Sequence, residues 1–111
     1  MAGNVIIQIV ASESSPEKEA EFNRWYSEVH VPMFFGYKGL KRASRYQRIG
    51  EDDKSARFLA VYEFETREAL DGFAKSPQFA AAVVDFENRK EAVGFTMKWA
   101  ASYEMISTLS R

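Results

Sequence analysis

The chain has 111 residues, with 15 Lys and Arg against 16 Asp and Glu, a formal net charge of −1 and no cysteine. That length suits one domain spanning residues 1–111, and the balanced, scattered charge argues against a nucleic-acid partner. The lack of cysteine excludes a disulfide framework, a thiolate nucleophile and a cysteine metal site, and no apolar run approaches the ~20 residues of a membrane helix, so a cytoplasmic protein without membrane contact is expected.

Residues 5–10 are β-branched and almost wholly apolar, which predicts a central strand covered on both faces. Ser14, Ser15, Pro16 and Glu17 then supply a helix start, with Pro16 in the first turn and either serine as N-cap in a capping-box spacing. Phe22, Trp25, Tyr26 and Val29 follow at i, i+3, i+4 and i+7 and make one apolar stripe. Pro32 removes a donor and disfavours helical geometry at Val31, so the helix is expected to stop near His30.

Gly36 and Gly39 mark a loop, and residues 40–49 read as a second strand of mixed polarity. A charged turn at residues 50–54 precedes a third strand at 57–64, so the two strands form a hairpin. Thr66 caps a helix carrying Ala69, Leu70 and Phe73, and Ser76 with Pro77 restarts it through Phe79, Val83 and Phe86. After Gly94, residues 95–107 alternate as a fourth strand.

The order β-α-β-β-α-β predicts an α+β, ferredoxin-like fold, an antiparallel four-stranded sheet with its helices on one face. Yet strand one offers Val5, Ile7 and Ile9 to one face and Ile6 and Val10 to the other, and strand three is apolar on both sides too. With no sequence left to cover the second face, a second copy of the chain is expected to do so, as a homodimer or a higher oligomer packed sheet to sheet.

His30 is the single histidine, and its unperturbed pKa makes it the natural carrier of proton transfer near neutrality. On an ideal helix it lies beside Tyr26 at the margin of the aromatic stripe, where it serves either as an acid/base group or as a simple helix terminator. Trp25, Tyr26, Tyr62 and Trp99 are candidates for a substrate pocket, since each adds a polar handle to an aromatic body. Gln8 is a polar amide in an apolar strand that needs a partner, either in the pocket or at a dimer seam. Arg45 and Tyr46 occupy adjacent, opposite-facing strand positions. Tyr46 is the one expected to donate to a substrate oxygen, with Arg45 as a further substrate contact. One histidine and no cysteine leave no expected metal site.

The run from Trp25 to Pro32, with Gly39, Arg45, Tyr46 and the stretch Phe73 to Pro77, resembles the EthD-like branch of the dimeric α/β-barrel superfamily over nearly the whole chain. The resemblance implies two ferredoxin-like protomers joining their sheets into a barrel, each with a pocket between helices and sheet. Relatives of that kind include cofactor-free isomerases, cyclases and monooxygenases as well as small-molecule binders. The resemblance points to a cofactor-independent lyase, isomerase or cyclase acting on an aromatic, lactone or polyketide-like substrate, with His30 as general acid/base and Tyr46 assisting. A quinol-forming type of monooxygenase and a non-catalytic small-molecule-binding dimer are the alternatives.

Overall fold

Strands β1 (Ile6–Glu13), β2 (Leu40–Gln47), β3 (Phe58–Phe64) and β4 (Thr96–Glu104) form one antiparallel sheet in the order β2-β3-β1-β4, in a computed structural model that describes residues 5–52 and 54–111. Between β1 and β2 the chain runs through a 3₁₀ turn (Pro16–Lys18), α1 (Glu19–Trp25), a π turn (Tyr26–His30), α2 (Val31–Met33) and a second 3₁₀ turn (Phe34–Gly36). Helices α3 (Arg67–Phe73) and α4 (Pro77–Arg89) link β3 to β4. This is the ferredoxin-like β-α-β-β-α-β order that the periodicity predicts. Among the described residues, no helix is long and apolar enough to cross a membrane.

The pleat sorts the side chains. Phe58, Ala60, Tyr62 and Phe64 of β3 are buried on the helix-covered face, whereas Leu59, Val61 and Glu63 between them are half-buried on the other. The register pairs Gln8 with Tyr62 and Val10 with Ala60 on the covered face, and Ile7 with Glu63, Ile9 with Val61 and Ala11 with Leu59 on the open one. A bulge then shifts the β1–β4 register, so that Ala11 pairs with Trp99 but Ser12 pairs with Met97. The extra residue, Lys98, sends Trp99 to the open face and lets Met97 point beneath the helices.

Thr66 caps α3, its hydroxyl accepting from the Ala69 amide at 3.0 Å. Ser76 serves two helices, donating to the Phe73 carbonyl at 2.7 Å and accepting from the Phe79 amide at 3.1 Å. The capping box expected at Ser14 or Ser15 is not made. Ser15 stands at the cap without a side-chain cap bond, and its backbone amide donates to the Gly94 carbonyl at 3.1 Å instead. That bond ties the turn after α4 to the start of the first helical stretch.

The expected stop near His30 is also overturned, because Val31 keeps helical angles (φ −60°, ψ −46°) and helical geometry runs on through Pro32 to Gly36. Proline there requires a local change of hydrogen bonding, which the π turn supplies.

Gly94 is the glycine on which this arrangement depends. Its φ of +65° suits glycine, and a Cβ built there would stand 2.5 Å from Ser15 Oγ. Gly94→Ala is expected to lower stability by about 1–3 kcal/mol, combining the positive-φ cost with the clash. Urea denaturation would check this, and an unchanged midpoint would contradict it.

Candidate functional site

The site begins with Pro32. It has no amide hydrogen to offer the Glu28 carbonyl four residues earlier, and its ring would press on that carbonyl in a regular helix. The chain widens by one residue, and the Val31 amide bonds back to the Tyr26 carbonyl, a span of five. The extra residue rotates everything after it. Val29, expected on the buried stripe, is 44% exposed, and its inward place passes to His30 and Val31. Thus i, i+5 spacing across the turn sets His30 against Trp25.

The two rings stack at 4.6 Å between centroids with an interplanar angle of 28°. Tyr26 and Phe34 meet the imidazole edge-on at 5.2 and 5.1 Å, and Phe86 of α4 lies at 6.3 Å. The imidazole makes no hydrogen bond within the described residues, and its Nδ1 is shielded from solvent. Burial among these rings pushes its pKa down to about 4, an effect that the Asp85 carboxylate partly opposes. His30 is therefore neutral at physiological pH and carries a basic nitrogen with no protein partner.

His30 lines a cavity of about 320 Å³ between helices and sheet, together with Gln8, Tyr26, Tyr62 and an apolar wall that includes Phe34, Phe73, Phe86, Phe95 and Met97. The Tyr62 and Tyr26 hydroxyls form a hydrogen-bonded pair. Burial raises the pKa of both phenols, so both are protonated donors. Behind them the Arg45 guanidinium lies 4.5 Å from the Tyr26 ring centroid and 5.4 Å from that of Phe22. Its Nη1 donates to Ser27 Oγ at 3.0 Å and more weakly to the Asn23 carbonyl at 3.4 Å, whereas Nε and Nη2 are buried without partners. Burial lowers the pKa of Arg45, although it remains a cation.

Of the residues singled out from sequence, His30, Gln8, Tyr26 and Tyr62 converge on this cavity, and Trp25 and Arg45 stand directly behind its wall. Tyr46 and Trp99 do not. Both lie on the open face, 55% and 45% exposed, where they share a shallow depression with Leu59. The choice between Arg45 and Tyr46 therefore falls the other way: the β2 register pairs Arg45 with Ala60 on the covered face and Tyr46 with Leu59 on the open one. Within one protomer Tyr46 cannot assist His30.

Two carboxylates of α4 were not foreseen. Asp85 accepts a hydrogen bond from Trp25 Nε1 at 2.7 Å, and Glu87 lines the cavity while paired with Lys90 at 3.0 Å. They flank Phe86, one before it and one after, as ordinary polar positions of α4, so the sequence carried no signal for either. No group of three or more His, Cys, Asp or Glu able to hold a metal occurs among the described residues.

The sequence profile of the family described as "Domain of unknown function (DUF4286)" matches residues 5–100, and the chain belongs to that family. No curated protein matches it. Among solved structures, the chain is similar to HapK from Hahella chejuensis, with a TM-score of 0.69 at 14% identity over 96% of this chain and 97% of that one. An EthD family protein from Bacillus halodurans superposes with a TM-score of 0.62 at 15% identity, covering 88% and 96% of the two chains. SnoaB, a cofactor-independent oxygenase from Streptomyces nogalater, does so with a TM-score of 0.62 at 16% identity, covering 99% and 100%. At these identities the likeness establishes the ferredoxin-like fold.

Two outcomes follow from the geometry. Above about pH 6.5 the His30 ring is neutral folded and unfolded, and its contribution to stability is fully present. As pH falls toward about 4 the unfolded chain takes up a proton that the folded chain refuses, so stability drops by roughly 3 kcal/mol across that window. Denaturation curves of His30→Gln, compared with wild type over the same range, should lack that increment. Second, Pro32→Ala restores an amide for the Glu28 carbonyl and relaxes the π turn. Stability should change by no more than about 1 kcal/mol, while the ring-current shifts of the His30 protons diminish in NMR spectra. Unaltered shifts would show that the turn does not depend on the proline.

Proposed function

We propose that this member of the DUF4286 family is a cofactor-independent enzyme acting on a small, largely apolar molecule that carries an acidic C–H or O–H beside an oxygen, with His30 as the proton-transfer group. One observation carries the reading: a neutral imidazole without a protein hydrogen bond lines an aromatic cavity of about 320 Å³ that also holds a pair of tyrosine hydroxyls.

In this mechanism the apolar body of the substrate rests against Phe73, Phe86, Phe95 and Met97, and expelled water leaves its acidic proton facing His30. The imidazole takes the proton, and the carboxylate of Asp85 favours the imidazolium that results. Negative charge developing on the substrate oxygen accepts a hydrogen bond from Tyr26. Tyr62, paired with Tyr26, and Arg45, behind its ring, make that donation stronger. Gln8 supplies a second, orienting contact. Returning the proton to another atom of the same molecule gives isomerisation, expelling a leaving group that takes the proton from His30 gives elimination, and attack of the carbanion on a carbonyl of the same molecule, whose oxygen takes the proton, gives cyclisation. Each leaves His30 in its starting state.

A second reading is favoured by the fold likeness to SnoaB, a cofactor-independent oxygenase. There the deprotonated, electron-rich substrate would itself react with dioxygen, and His30 would again serve as base. Oxygen consumption separates the two readings.

We also propose that two copies pack through their open sheet faces, which is supported by the half-buried Ile7, Ile9, Leu59 and Val61 and the exposed Trp99 on one surface. Tyr46 and Trp99 would then belong to the seam. Sedimentation should give a dimer at micromolar concentration with an interface of about 2,000 Å² or more, and Val61→Glu should dissociate it. A stable monomer of wild type would exclude this assembly.

For the chemistry, a panel of hydroxyaromatic, lactone and 1,3-dicarbonyl compounds in deuterated solvent is the direct assay. Wild type should accelerate exchange at the acidic position. His30→Gln should lower turnover by ~10²–10⁴-fold with ligand affinity retained. Tyr26→Phe should cost less, since it removes one donor and leaves the base in place. Equal exchange by wild type and His30→Gln would end the base assignment, and tight binding without exchange would make the protein a binding module.

A further inference from the structure

We propose that Asp85 is the positioning residue of the site, fixing the plane of the His30 ring through the indole of Trp25. This rests on the reading of His30 as the proton-transfer group. The contact joins elements far apart in sequence: Asp85 on α4 accepts from Trp25 Nε1, at the end of α1, in a 2.7 Å hydrogen bond. A bond that short, to a carboxylate, is of the charge-assisted kind, with an exacting geometry.

The indole is a flat body, so fixing its N–H edge while Tyr26 (5.6 Å) and Phe86 (6.4 Å) pack around it leaves its plane little freedom. His30 lies nearly parallel to that plane at 4.6 Å and has no hydrogen bond of its own to choose an orientation. Where a carboxylate usually orients a catalytic imidazole by accepting from it directly, here the indole stands between them. The indole transmits orientation. Through space, the carboxylate also favours the charged ring that appears when His30 takes a proton. The other titratable groups facing the imidazole are Tyr26 from its own helical stretch, Tyr62 from β3, and Glu87 from α4, the last held by Lys90.

The experiment reads the ring itself in the full chain by proton and ¹⁵N NMR. In wild type the His30 protons should be displaced upfield by the indole face. Asp85→Ala frees the indole, so that displacement should shrink and Trp25 Nε1–H should exchange faster with solvent. Asp85→Asn keeps an acceptor for the indole but removes the charge. It should preserve the displacement while the His30 titration midpoint moves down, which also keeps the test decisive if the alanine variant does not fold. Glu87→Gln should leave the stacking as in wild type. Wild-type ring shifts in Asp85→Ala, a wild-type titration in Asp85→Asn, or the same loss of stacking in Glu87→Gln would each overturn the proposal. A His30→Gln variant with full exchange activity would overturn the base assignment alone, because the indole's hold on the His30 ring is measured without substrate.

Discussion

The arrangement depends on one missing hydrogen. Because Pro32 cannot donate to the Glu28 carbonyl, the chain has either to end its helix or to widen it by a residue, and it widens. The widening moves His30 from the margin of the aromatic stripe to a place on Trp25, and moves Val29 out to solvent. It also carries the helical stretch far enough for Phe34 to reach the His30 ring at 5.1 Å. One backbone constraint thus sets the position, neighbours and protonation state of the only histidine in the sequence.

The dryness of that position has two opposite effects. It keeps the imidazole neutral, the form able to accept a proton. It also places the Arg45 guanidinium among Phe22, Tyr26 and Phe58 with two of its nitrogens unpartnered, an arrangement that costs free energy in a merely structural residue. The neighbouring rings offset part of that cost through their negative faces. The remainder is reasonable where a positive field is needed beneath a pair of phenols. Positive charge is withheld from His30 while the Arg45 guanidinium holds a positive charge behind Tyr26, which gives the cavity a polarity from one ring to the other.

Strand order, helix break and the two-faced strands were legible in the sequence because each rests on local chemistry: alternation in residues 58–64, the caps at Thr66 and Ser76, the glycine at position 94. Gln8, Tyr26, Tyr62 and His30 could also be found as anomalies, polar groups in apolar surroundings. What could not be read was register. A one-residue choice decides whether Arg45 or Tyr46 turns inward, and nothing in residues 40–49 distinguishes them until β2 is paired with β3. Trp99 was misplaced for a related reason, since only the pairing with β1 puts it with Ala101 and Tyr103 on the open face, and the bulge parts it from Met97. Pro32 was read as a helix stop, but it interrupts only the hydrogen-bond ladder and the helix path continues through it. Asp85 was invisible because its partner is 60 residues away.

The division of labour between the two faces of the sheet explains how such a small chain can hold a cavity at all. Gln8, Val10 and Tyr62 face the cavity, while their immediate neighbours Ile7, Ile9 and Val61 face away, so each central strand contributes to both surfaces without sharing side chains. Changes on the open face can therefore alter assembly while leaving the lining untouched. Conversely, the lining can be exchanged residue by residue under a constant sheet. The polar members of the lining are few and come from β1, β3, the π turn and α4, which means that the chemistry of the site is set by four short stretches and its shape by the aromatic remainder. A chain built in this way can keep its fold while its cavity lining changes, and the π turn at Pro32 is the part that has to be kept for a histidine at position 30 to face the cavity.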